Sequence, residues 1–487
     1  MIQIYKKELQ SLFVIFFFKL LILTLMPLTG DEAYFIKWAH NPSIGYYDHP
    51  PMVGWVIYAL SFINDSHIFF RLFAVMTTFI EAFVIYKIAV LYKVQKEKAF
   101  LSTLIFLASS VDLLLLLMTN DVTLLFFGSL GTLFLLYALE RQNLKYALLS
   151  GIFLGAAFLS KYFAVFLLFS LLLFSFFTYG KRAIKVVIVA AFFILLFIAQ
   201  NLYFNYNSCW NNILFNFFAR TEDNRYSIGT VLGYFALMLY IFTPWGAYFL
   251  LKNIFQKTTL LKLIFFVLGV GFFVFFVVSL KNSIGLHWFL LFTPFIFLLF
   301  SFLDKDTMLK VFKYNTVFTL LHGVILTTLL LLPISLISGH KKYSDIVMFS
   351  APNGICKEFN DDKTIFTLGY SSASLLSYAC KKDVFVLFNN SKYGRLDDKL
   401  FDIREISGKD IKLFNKRKID EEELRDVCSS YEVGSFDIEG ATFYNATCKN
   451  FNYEVYKKKY LDYANEHFYN IPQWLPQGEC YFKERYY

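Results

Sequence analysis

The chain has 487 residues, of which 57% are hydrophobic and only 17% charged. Soluble domains average about 25% charged residues, so this composition excludes an ordinary soluble globule and points to a polytopic α-helical membrane protein. The net charge of +9 does not indicate nucleic acid, because most Lys and Arg residues sit in short loops between apolar runs, where they set topology in a lipid bilayer.

Crossing a bilayer takes about 20 apolar residues. Runs near that length lie at 9–28, 68–92, 99–118, 122–140, 144–160, 162–179, 184–204, 229–251, 259–280, 286–303 and 314–338, about eleven spans in all. The first run is not followed by a small-residue cleavage site, so it reads as a retained span. With a cytoplasmic amino terminus, the inner loops hold Lys6/Lys7, Lys93/Lys96/Lys98, Arg141/Lys145, Lys181/Arg182/Lys185, Lys252/Lys257 and Lys305/Lys310/Lys313. The outer loops keep only Lys37, Lys161, Arg220, Arg225 and Lys281. This asymmetry follows the positive-inside rule. The sequence thus reads as a transmembrane domain over 1–338, with outer loops at 29–67 and 205–228.

From Gly339 the apolar runs shorten to strand length at Thr364–Leu368 and Val384–Phe388, with helical candidates at Ser371–Cys380 and Glu421–Cys428. The segment 339–487 reads as a soluble α/β domain on the outer side. All six cysteines fall on that side, where an oxidising exterior allows disulfides. Spacing suggests Cys356–Cys380 and Cys428–Cys448, with the connectivity open.

The stretch Gly30–Pro51, GDEAYFIKWAHNPSIGYYDHPP, crowds ionisable groups against a span. Such groups are costly there unless they face water, protein or a ligand. Asp31 is a candidate general base for a hydroxyl nucleophile; its structural alternative is a cap for a helix over Ala33–His40. Glu32 stands beside it. In Tyr46-Tyr47-Asp48-His49-Pro50-Pro51 the rings and carboxylate suit a sugar, whereas an interfacial aromatic belt would explain the tyrosines alone. Asp48, His49 and a distant His287 could hold a divalent metal. Asp121 is a second outer carboxylate, in Thr119-Asn120-Asp121, which could equally cap the next span.

Lys161, Arg220, Arg225 and Lys281 are the outer cations that a departing phosphate needs; their alternative is snorkelling at helix ends. Deeper in the apolar segments, an Arg71–Asp112 pair would be architectural. Trp210–Phe218 reads as an interfacial amphipathic helix. Asp304-Lys305-Asp306 looks like a nucleotide-sugar triplet but lies on the inner side, opposite every other candidate.

Three stretches, GDEAYFIKWAHNPSIGYYDHPPMVGW, MTNDVTLLFFG and GAAFLSKYFAVFL, together resemble the bacterial polyprenyl-phosphate-sugar-dependent glycosyltransferases. These share the C-type multispanning glycosyltransferase fold with protein O-mannosyltransferases, and include the aminoarabinose transferases of lipid A. The resemblance covers about the first 300 residues. It implies Asp31 as catalytic base or acceptor-positioning group, Asp121 as a second family acid and Lys161 as the lysine of an SKY-type motif. It places Asp48 and His49 in the donor pocket, where His49 departs from the acid-then-lysine pattern of the aminoarabinose enzymes. Arg220 and Arg225 fall near phosphate-facing arginines, and His287-Trp288 resembles an outer-loop Trp segment.

The expectation is an inverting transfer of sugar from an undecaprenyl-phosphate carrier to an envelope glycolipid such as lipid A or lipopolysaccharide. The scheme requires no cofactor but leaves room for a divalent metal. A lipid-linked sugar flippase is the alternative from another class, disfavoured because polar groups cluster at one surface without a visible repeat.

Overall fold

A computed structural model describes residues 5–219, 226–253, 255–359 and 363–487. The chain divides into two compact units: one of 1–26, 64–200 and 224–331, the other of 27–63, 201–223 and 332–487. The loops that the sequence grouped with the transmembrane part therefore pack with the carboxy-terminal region.

The first unit is helical. Six helical stretches among the described residues are long and apolar enough to cross a membrane: Lys6–Leu25, His67–Leu91, Asn120–Arg141, Ala164–Tyr206, Thr259–Ser279 and Lys305–Leu331. A seventh is present if the pair Ile228–Phe242 and Pro244–Lys252, bent by 81°, counts as one span. The difference from eleven has local causes, and the run 144–160 drops out because its helix, Leu144–Ser160, has only 17 residues. The stretch Ala164–Tyr206 contains two of the expected runs, divided by a 3-10 turn at Gly180–Arg182. The run 99–118 is a helix only over Lys96–Leu107. There the Ser109 hydroxyl accepts the backbone N–H of Asp112 and caps a four-residue helix instead. The run 286–303 begins as a 3-10 helix, and a true α-helix starts only at Thr293, with Pro294 in its first turn. Large apolar side chains face outward on these helices, among them Phe177 at 72%, Phe265 at 70% and Phe273 at 68% exposure. Water would not tolerate such a surface, but lipid does.

Lys19, Asp112 and Arg71 are buried inside this unit and each has polar partners. The Lys19 ammonium donates to Asp112 at 2.9 Å and to the Thr78 hydroxyl at 2.5 Å. The expected Arg71–Asp112 pair is therefore not formed: Lys19 neutralises Asp112. The Arg71 guanidinium instead donates to the Leu23 and Met26 carbonyls, which the end of the first helix leaves without intrahelical partners.

The second unit is built on a five-stranded sheet of order β2-β1-β3-β5-β4. Its strands are β1 (Thr364–Thr367), β2 (Val384–Val386), β3 (Ile411–Asn415), β4 (Cys428–Ile438) and β5 (Ala441–Phe451). The first three run parallel, with Ile365 opposite Val384 and Thr364 opposite Ile411. The hairpin of β4 and β5 joins antiparallel along β3. The helix Tyr370–Cys380 connects β1 to β2, the usual route between parallel neighbours. Phe366, Ile411, Leu413, Val427 and Phe451 are among the residues of the core beneath the sheet. Disulfides Cys356–Cys380 and Cys428–Cys448 form as the spacing suggested. A third, Cys209–Cys480, binds the end of the chain to the 201–223 segment.

Candidate active site

The helix Gly30–His40 of the second unit carries Asp31. Its N-cap is Thr29, whose hydroxyl accepts the Glu32 backbone N–H. The Glu32 carboxylate in turn accepts the Thr29 backbone N–H, closing a capping box. Thr29 and Glu32 thus satisfy the helix start, and Asp31, which the structural alternative made the cap, is released from that task. Glu32 is buried while Asp31 is exposed. The helix is buried nearly all round, which locks its direction. The Lys37 ammonium reaches Asp397 at 2.7 Å and the Val384 carbonyl at 3.2 Å, while the other Asp397 oxygen accepts Val386 N–H. These contacts tie the helix to β2.

Around Asp31 lies an aromatic and acidic cluster. The Tyr370 hydroxyl donates to Asp31 Oδ1 at 3.3 Å, and the Tyr34 hydroxyl to Asp48 Oδ1 at 3.2 Å. The two tyrosine rings meet edge-on, 4.9 Å between centroids. Burial, reinforced by nearby carboxylates, pushes both phenols well above the ordinary tyrosine range, so both remain proton donors at neutral pH. Tyr46 is 2% exposed, stacks on Trp38 at 4.1 Å and donates to the Trp38 carbonyl. Burial raises its hydroxyl to about 12. Tyr47 is equally buried, against Phe215. Both rings therefore build the loop, and its partly exposed residues are Asp48 and His49.

Asparagines that sequence reasoning passed over hold this loop. On the helix Asn211–Phe217, the Asn212 amide donates to the Tyr46 carbonyl and the Asn216 amide to the Asp48 carbonyl. The stretch read as an interfacial helix is thus also a clamp. Its signal was present: three Asn in seven residues are too many for a purely apolar face.

The first unit holds the other candidates. The Lys161 ammonium donates to Asp121 Oδ1 at 2.7 Å, with both side chains 6% exposed. Lys161 also lies 5.0 Å from the Phe163 ring centroid, and Phe163 meets Trp288 edge-on at 4.8 Å. Thr119 occupies the N-cap position of the helix that carries Asp121, but its side chain makes no capping bond. Lys281 is exposed over the Tyr226 ring. Arg220 and Arg225 lie outside the described residues. Asp304 caps the helix that follows it through Thr307, a structural use of that triplet. Among the described residues, no group of three His, Cys, Asp or Glu side chains could hold a metal ion. Asp48 and His49 belong to one unit and His287 to the other.

Residues 48–204 match the family described as dolichyl-phosphate-mannose-protein mannosyltransferase. Over 138 residues the chain is 30% identical to the lipid A galacturonosyltransferase RgtD of Rhizobium johnstonii, covering 28% of this chain and 29% of that relative. Solved structures of ArnT from Cupriavidus metallidurans match over most of the chain. The apo form gives a TM-score of 0.65 at 13% identity, covering 90% of this chain and 97% of that one. The form bound to undecaprenyl phosphate gives 0.60 at 12% identity, covering 91% and 98%. The family match is confined to residues 48–204, and the chain as a whole has the C-type glycosyltransferase fold of the ArnT structures.

Proposed function

We propose that the protein is an inverting glycosyltransferase. It moves a sugar from a polyprenyl-phosphate carrier, undecaprenyl phosphate in a bacterium, to an envelope glycolipid, with lipid A the first acceptor to test. The observation that carries the reading is the exposed carboxylate of Asp31, relieved of capping by Thr29 and Glu32 and held beside Tyr370.

In this reading Asp31 takes the proton of the acceptor hydroxyl as its oxygen attacks the anomeric carbon. The bond to the carrier phosphate breaks through an oxocarbenium-like transition state. A phosphate needs charge neutralisation more than protonation as it leaves. Lys161, oriented by Asp121, supplies it, with Lys281, Arg220 and Arg225 as further cations. Asp48 and His49 face the sugar. No step passes through a metal, and chelation is expected to leave the rate unchanged.

The Lys and Arg asymmetry supports a multi-pass inner-membrane protein with a cytoplasmic amino terminus and a periplasmic carboxy-terminal region. A protein acceptor is the second reading, favoured by the family description over 48–204.

The test is to incubate purified protein with labelled polyprenyl-phosphate sugar and, separately, lipid A and envelope proteins. Label on lipid A is the expected product. Label on protein supports the second reading, and carrier translocation without bond cleavage contradicts both.

A further inference from the structure

We propose that Tyr370, supplied by the carboxy-terminal sheet region, is a positioning residue for Asp31, so that this region completes the catalytic base rather than merely following the membrane part. The proposal rests on the reading of Asp31 as base.

Tyr370 is the first residue of the helix that leaves the carboxyl end of β1. Crevices outside the carboxyl ends of parallel strands are where open α/β sheets place ligand-facing groups. Two close approaches fix the side chain there. Gly30, the residue before Asp31, lies so near the same helix that a Cβ would stand 1.7 Å from the Ser371 hydroxyl. Gly394, with φ of +76°, brings the following loop against Tyr370, where a Cβ would meet the Tyr370 Cβ at 2.4 Å. Neither position accepts a side chain without displacement. The Tyr34 ring closes a further side.

A single neutral donor on Oδ1 has a defined effect. It orients the carboxylate and leaves Oδ2 to accept the acceptor's proton. Burial and the charges of Asp31 and Asp48 keep the phenol protonated, so the donor persists over the working pH range. Tyr393 stands near the same hydroxyl and is the other phenol to control for.

The test uses Tyr370→Phe in the full-length protein, which removes one oxygen and keeps the ring. Two quantities are read. One is the kcat and donor KM of sugar transfer. The other is the labelling of Asp31 by a water-soluble carbodiimide, followed by mass spectrometry, with the exposed Glu439 as internal reference. A carboxylate deprived of its hydroxyl donor is no longer held through Oδ1, turns freely toward the solvent and meets the reagent more readily. The expected result is a kcat lowered about tenfold or more with donor KM within about twofold, and Asp31 labelling raised several-fold relative to Glu439. Labelling equal in the two proteins overturns the proposal, as does a raised KM with kcat unchanged. If the wild-type protein transfers no sugar, the functional reading fails, and the labelling still decides whether Tyr370 holds Asp31.

Discussion

The two units treat a carboxylate in opposite ways. In the first, Asp121 is buried and meets the Lys161 ammonium at 2.7 Å. In the second, Asp31 is exposed and accepts from the neutral hydroxyl of Tyr370 at 3.3 Å. Charge buried in an apolar helical layer is costly unless it is paired or hydrogen-bonded. A carboxylate facing water can be left with a phenol. The contrast separates two acids that the sequence placed side by side: Asp121 is suited to orienting Lys161, and Asp31 to accepting a proton.

The contrast can be broken most forcefully at the buried pair. Lys161→Met leaves Asp121 uncompensated and is expected to destabilise the protein by about 3–5 kcal/mol, read as a lowered unfolding temperature in detergent. The double variant Lys161→Met/Asp121→Leu should recover much of that loss. A single variant as stable as wild type would mean the pair is not buried as described. Next in size is Cys209–Cys480, which joins two parts of the second unit that stand 271 residues apart in sequence. Replacing both cysteines by Ser should cost about 2–5 kcal/mol, visible as faster proteolysis of the 470–487 segment. The smallest effect sharpens the role of the capping box. Thr29→Ala should destabilise by about 1 kcal/mol, and with the cap lost the amide protons at the start of the Gly30–His40 helix should exchange faster.

Much of the second unit could be read from residues alone. Short apolar runs bounded by Gly, Asn and Asp located β1 and β2, and the helices Tyr370–Cys380 and Glu421–Val427 fall within a residue of expectation. Two of three disulfides followed from spacing because their loops are short, separations of 24 and 20. Cys209–Cys480 had no such signal. The long hairpin of β4 and β5 was missed because much of β4 is exposed and polar, which blurs the alternation that marks a strand.

In the helical unit, apolar run length overstated the number of long helices. Hydropathy does not register a Ser109 cap or a Pro294 that breaks a helix inside an apolar run. The identity of Asp112's partner was equally hidden, since Lys19 lies 93 residues away and its pairing is set by helix packing. The helix that carries Asp31 was legible, expected over Ala33–His40 and found over Gly30–His40. What sequence could not show is that Thr29 and Glu32 cap the helix between them, and that a tyrosine 339 residues later reaches the Asp31 carboxylate.

The most direct test of the account is the rate of sugar transfer from labelled polyprenyl-phosphate donor by Asp31→Asn, which keeps the shape of the side chain and removes its basicity. The account predicts a fall of about 100-fold or more with donor binding retained. A rate within about threefold of wild type would contradict it.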